Sequence, residues 1–226
     1  MPSSSFATMV DRIGQTQTPL TATAATFVGV LVLMLVVLPT WLVVQHVNTI
    51  AHEGTHALVG SGMGGTVQSV TMQPDGRGLT LVRFPGSGDN LLFLFAGYLG
   101  PSAFGLGAAK LISIGHTVAV LWLALLLLAL LLITARNLFA GCAIMITGLL
   151  IYLVARYAAI GTETVVAYVI TWFLLLSGFR VVLEHGPGAG DARALASATH
   201  VPRVVWAAMW LVGAGFALVV GYRLLV

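Results

Sequence analysis

Apolar residues run almost unbroken through most of this chain, and short polar interruptions cut them into lengths that suit a bilayer core. The segments cover residues 27–44, 91–114, 117–134, 138–155, 164–183 and 204–220. Each is long enough to cross as a helix, so about six spans are predicted. The pattern changes once. Val67, Val70 and Met72, then Leu79, Leu81 and Phe84, flank Pro74-Asp75-Gly76-Arg77-Gly78, a turn cluster whose glycines accept positive φ. A β-hairpin over residues 66–84 follows from that pattern. Residues 1–23 are rich in Ser, Thr and Gln and read as a disordered tail. They lack a basic stretch leading into a short apolar core and cleavage site, so no removable leader is expected. The predicted fold is an all-α polytopic membrane protein with one short hairpin after its first span, a single domain over 24–226.

The first segment needs more than one straight helix. Its apolar run grades into Gln45, His46 and Asn48 without a loop signal. A helix over 24–58 would be about 50 Å long at 1.5 Å per residue, against a hydrocarbon core of about 30 Å. Pro39 is the place for a kink or a break. Either the polar end emerges at one membrane face, or two shorter helices share the segment.

Composition agrees with lipid as the solvent. The chain has 226 residues, 58% hydrophobic and 8% charged, with a mean hydropathy of +1.01. Soluble domains carry about a quarter charged residues. The net charge of +3 is small and dispersed, which excludes a nucleic-acid partner and leaves the basic residues as loop anchors. Cys142 is the only cysteine, so an internal disulfide and a thiolate-rich metal site are excluded. Six spans put Arg77, Arg83, Arg136, Arg180, Arg193 and Arg203 on the hairpin side, against Arg12, Lys110, Arg156 and Arg223 opposite. That excess predicts a cytoplasmic hairpin side. One Lys against nine Arg, with abundant Ala, Gly and Val, points to a G+C-rich bacterial genome and hence a bacterial plasma membrane.

Candidate chemistry sits at the polar end of the first segment, in His52-Glu53-Gly54-Thr55-His56. Residues four apart share a helix face, so both imidazoles can reach one metal ion. Glu53 can then reach a metal-bound water and act as general base. Hydrolytic zinc uses three protein ligands and an open position. The third has few sources. Asp11 is in the tail, Glu163 is on the far side and Asp75 is in the hairpin turn. Asp89 starts the second span and Glu184 ends the fifth. Asp191, in Gly188-Ala189-Gly190-Asp191-Ala192-Arg193, is the preferred third ligand, although its position also suits a helix N-cap. Asn137 and His185 are the alternatives.

These residues resemble the site-2 protease family of intramembrane zinc metallopeptidases, in particular its bacterial B-type subgroup. The likeness comprises the His-Glu-Gly-Thr-His helix, the hairpin after it, and Gly97-Tyr98-Leu99-Gly100-Pro101 opening the next span. It continues in Arg136-Asn137-Leu138-Phe139-Ala140-Gly141 and from Asp191 through Leu195, Thr199 and Pro202 to Trp206. The resemblance implies zinc (Zn2+) on His52 and His56, Glu53 as catalytic acid/base, and a transmembrane protein substrate within the lipid bilayer. Better-known members take their third ligand from a Leu-Asp-Gly motif, which this chain lacks. A catalytically inactive relative that binds membrane segments is therefore a second reading. A small transporter or haem-binding membrane protein is a third, disfavoured because bis-His haem wants ligands on facing helices. Gly97, Gly100, Gly105 and Gly107 are read as close helix packing. His46, His116 and His200 are not expected to be ligands.

Overall fold

The computed structural model describes residues 11–86 and 90–226. Its elements are α1 (Ala22–Val37), α2 (Trp41–Gly62), β1 (Thr66–Met72), β2 (Gly78–Arg83), α3 (Leu91–Ser113) and α4 (Thr117–Thr134). They continue with α5 (Leu138–Tyr157), α6 (Ile160–His185), α7 (Gly190–Thr199) and α8 (Arg203–Leu225). Helices α3, α4, α5, α6 and α8 are each long and apolar enough to cross a membrane, and α1 with α2 forms a bent pair that makes a sixth. The chain is a multi-pass integral membrane protein with one antiparallel hairpin among its described residues. Exposed Leu138, Ile146, Leu149 and Leu150 turn an apolar face of α5 outward, as lipid requires. Residues 1–10 of the expected tail, and Asp89, lie outside the described residues.

The first apolar run is not one continuous span over 27–44. It breaks at Leu38–Thr40, where α1 and α2 meet at 103°. Leu38, as the residue before Pro39, is pushed into extended backbone (φ −75°, ψ 171°), and the proline ring cannot continue the helix. A break inside a membrane leaves carbonyls that must find donors. Thr40 Oγ1 donates to Leu35 O at 2.8 Å, and the Arg180 guanidinium donates to Val36 O while lying 4.4 Å over the Trp41 ring. Arg180 thus fixes the corner from which α2 departs. Arg180→Ala is expected to cost about 1.5–3 kcal/mol, the range for hydrogen bonds to charged groups. Thermal unfolding in detergent would read that loss, and an unchanged melting temperature would dismiss the role.

The remaining spans follow the apolar runs, with differences at two ends. Helix α6 begins at Ile160 rather than 164 because Glu163 is carried inside it, buried and paired with Arg12 Nη2 at 2.7 and 2.8 Å. Helix α8 runs on to Leu225. Gln17 ties the same end together, its backbone N–H donating to Gly115 O at 2.7 Å and its Oε1 accepting from Thr117 Oγ1 and Val118 N. The main core packs α1, α3, α4 and α6 around Val32, Ile112, Leu121, Trp172 and Leu175. Trp172 lies flat on Gly29, where a Cβ would come within 2.9 Å of the indole, and its Nε1 donates to Ala25 O at 3.0 Å.

The hairpin is fastened at the outer edge of β1 and on its inward face, by different means. Asn137 caps α5 through its Oδ1, which accepts from Ala140 N at 3.3 Å and from Met72 N at 3.2 Å. Its Nδ2 donates to Met72 O at 2.7 Å. With Arg136 N donating to Val70 O at 2.9 Å, this linker covers the outer edge of β1. Strand β2 pairs only with β1 among the described residues and lies against α2 through its inward side chains.

Candidate metal centre

The polar half of α2 is sunk between α3 on one side and the hairpin on the other. Counting about 100° per residue, His52 and His56 share one sector of α2, with Thr55 on one flank and Glu53 and Gly60 on the other. Helix α3 covers the Thr55 flank at close range, through two glycines. A Cβ at Gly97 would come within 2.7 Å of His56 Cε1 and 2.8 Å of His52 Cε1, and one at Gly100 would strike Thr55. Strand β2 takes the opposite flank, with Gly78 and Thr80 on Glu53 and Val82 on Gly60. Strand β1 lies further round, where Val70 and Met72 pack with Ile50. The order around α2 is therefore β1, β2, the histidine pair, α3. Of the two strands, β2 is the nearer to the histidine sector of α2.

Helix α7 closes the site. Ala192 and Leu195 bury its apolar face against Trp210, which anchors it over the entry of α8. Ala189 occupies the N-cap position and offers no side-chain cap. Asp191 sits in the first turn instead and turns its carboxylate to the histidines. His52 Nε2 and His56 Nε2 are each 3.3 Å from Asp191 Oδ2, and 3.2 Å from each other. Burial alone would raise the Asp191 carboxyl, but the hydrogen bonds and charges of the two imidazoles outweigh it and hold it below the usual carboxylate range.

This triangle of donors fits a small tetrahedral cation. Metal–ligand bonds of about 2.0–2.1 Å at tetrahedral angles put neighbouring donors about 3.3 Å apart. Two imidazole nitrogens at 3.2 Å otherwise repel through their lone pairs unless a proton or a cation lies between them. His56 is buried, and its Nδ1 has no hydrogen-bond partner among the described residues. Packing therefore sets its ring: Phe93 lies 4.6 Å away between centroids, with Gly97 across from it. His52 stands edge-to-face with Tyr98 at 4.8 Å, and Tyr98 stacks on Trp210 at 4.5 Å. Trp210 is fixed by donating from Nε1 to Phe95 O at 2.9 Å.

Glu53 is buried on the β2 flank, where its Oε2 accepts from Thr80 Oγ1 at 2.6 Å. Asn137 is engaged with the hairpin backbone and His185 is exposed at the end of α6, so neither joins the donor group. His116 contacts Ile114 O, and His46 packs edge-on against Phe139. The sequence pattern does not mark Thr80, Tyr98 or Trp210 as parts of the site. The alternation of β2 puts Thr80 on the same face as Gly78 and Val82, which is a signal for burial but not for what it meets.

The family described as Peptidase M50B-like matches the chain over residues 22–221. No curated protein and no solved structure is found to match it.

Proposed function

From the premise that the chain belongs to the Peptidase M50B-like family, we propose that it is an intramembrane zinc endopeptidase cutting transmembrane protein substrates. His52, His56 and Asp191 would hold the ion, and Glu53 is the acid/base. The observation that carries the reading is the convergence of three donor atoms from α2 and α7, all within 4.8 Å of one another, next to a buried carboxylate. A convergence of both imidazoles from one helix face on a single carboxylate favours a small cation over haem. The end of the bundle bearing this group also bears Arg77, Arg83, Arg136, Arg180, Arg193 and Arg203, and we place it on the cytoplasmic side.

Zinc held by His52, His56 and Asp191 would supply Lewis acidity toward a water molecule and toward the scissile carbonyl. The chain's own residues do the rest. Glu53 accepts the proton of the attacking water on its carboxylate and delivers it to the departing amine. The Thr80 hydrogen bond holds Oε2, and Oε1 lies against Gly78, whose missing side chain leaves the room it occupies. Tyr98 and Phe93 wall the imidazoles and keep their ring planes. A transmembrane helix must unwind before its amide is accessible, and the freed backbone needs partners inside lipid. Strand β2, the nearer of the two to the histidines, offers an outer edge unpaired among the described residues, the geometry of strand addition.

Glu53→Gln tests the reading. The purified full chain is expected to hold about one zinc per molecule, and the variant to keep it. Cleavage would be followed on a Leu/Ala-rich single-span peptide with a central Gly-Pro break and a fluorophore–quencher pair. The variant is expected to lose at least about 10²–10⁴-fold in rate, the contribution of a positioned acid/base. Zinc retention with no cleavage by the wild type would favour the inactive binder instead.

A further inference from the structure

The orientation of Glu53 comes from the hairpin, not from the helical bundle. Its carboxylate has one side-chain donor among the described residues, Thr80 Oγ1 at 2.6 Å, and the same hydroxyl lies 3.2 Å from the Glu53 carbonyl oxygen. Gly78 is the previous inward position of β2, and its backbone comes so close that a Cβ there would lie 2.7 Å from Glu53 Cδ. The carboxylate is thus gripped by two successive inward residues of one strand. Leu79 and Leu81, on the opposite face of that strand, are exposed.

We infer that Thr80 is a positioning residue for Glu53, and that β2 couples substrate pairing to the alignment of the base. The inference rests on the zinc-endopeptidase reading. Among the described residues the outer edge of β2 is held neither by α2 nor by linker 135–137, and a peptide added along it stiffens β2 as the middle of three strands. Stiffening fixes the register of Thr80 and hence the Glu53 oxygen it holds. The substrate strand then completes the base at the moment it is presented for cutting. Linker 135–137 already occupies the outer edge of β1 at Val70 and Met72, so among the described residues β2 has the longer free edge for an incoming strand.

Thr80→Val keeps the shape and removes the hydroxyl; Thr80→Ser keeps the hydroxyl. In the full chain acting on the fluorogenic single-span peptide, Thr80→Val is expected to lower kcat about 10- to 100-fold, as for a misplaced reacting group. KM and zinc content should stay near wild type, and Thr80→Ser should restore kcat to within about threefold. A dileucine hydroxamate, whose N–OH group can donate a hydrogen bond to an aligned Glu53 carboxylate, should bind about tenfold more weakly to Thr80→Val. The coupling has its own readout. N-methylation scanned along the peptide around its cut site should slow the wild type at the pairing position. The same methyl should cost Thr80→Val less, a non-additive pair.

Wild-type kcat in Thr80→Val, failure of Ser to restore it, loss of zinc in step with loss of rate, or strict additivity with the N-methyl would each overturn the inference. All four leave the peptidase reading standing. A zinc-loaded wild type that cleaves nothing removes that reading, and the inference falls with it.

Discussion

Asp191→Ala is expected to leave the purified protein with less than about a tenth of its zinc, and with no measurable cleavage. A two-histidine site lacks both the third donor and the negative charge that offsets the ion where the dielectric is low. The variant should still fold, because Asp191 does not cap α7. That helix is seated by Ala192 and Leu195 against Trp210, none of which the substitution touches. Metal analysis of the detergent-solubilised protein would read the loss. The melting temperature should fall to that of chelator-treated wild type and no further, since a bound ion stabilises the folded state by mass action. Asn137→Ala is the companion. It should keep its zinc but lose about 1–3 kcal/mol, because the N–H and C=O of Met72 lose their side-chain partner. Normal zinc in Asp191→Ala, or zinc loss in Asn137→Ala, would reverse the assignment of the third ligand.

The spans were legible because lipid asks one question of each segment, whether it is long and apolar enough, and α3, α4, α5, α6 and α8 answer it in sequence. Pro39 announced a break in the first run. The 103° turn was not legible, since it depends on Arg180 of α6 reaching the Val36 carbonyl across 144 positions of chain. The histidine pair was legible from its spacing, as the i, i+4 rule is local. Asp191 was half legible. Its end of the bundle followed from counting spans, but a first-turn acid and an N-cap acid look alike in sequence. Ala189 in the cap position, and a carboxylate turned to two imidazoles, separate them only in three dimensions. Thr80 was hidden because its partner is Glu53, 27 positions away, and short strands carry no signal for a partner outside the sheet.

Small residues decide whether the site exists at all, and Gly97→Ala is expected to show it. The added methyl would lie within 2.8 Å of carbons in both imidazole rings, and real Cβ atoms do not tolerate such contacts. The rings cannot retreat freely, because His52 is backed by Tyr98 on Trp210 and His56 by Phe93. Either α3 moves off α2 or the two Nε2 atoms separate, and both outcomes widen the donor triangle. The variant should lose most of its zinc and its activity, and about 1–3 kcal/mol of stability, the usual cost of overpacking. Gly107→Ala lies on the same helix, but its methyl would meet nothing within 4 Å. It should be neutral or slightly stabilising, by up to about 1 kcal/mol from helix propensity. Zinc analysis and melting curves on the pair separate close approach at the metal from a general need for flexible glycine in α3. Equal damage from both substitutions would mean that α3 needs its glycines for something other than the histidines.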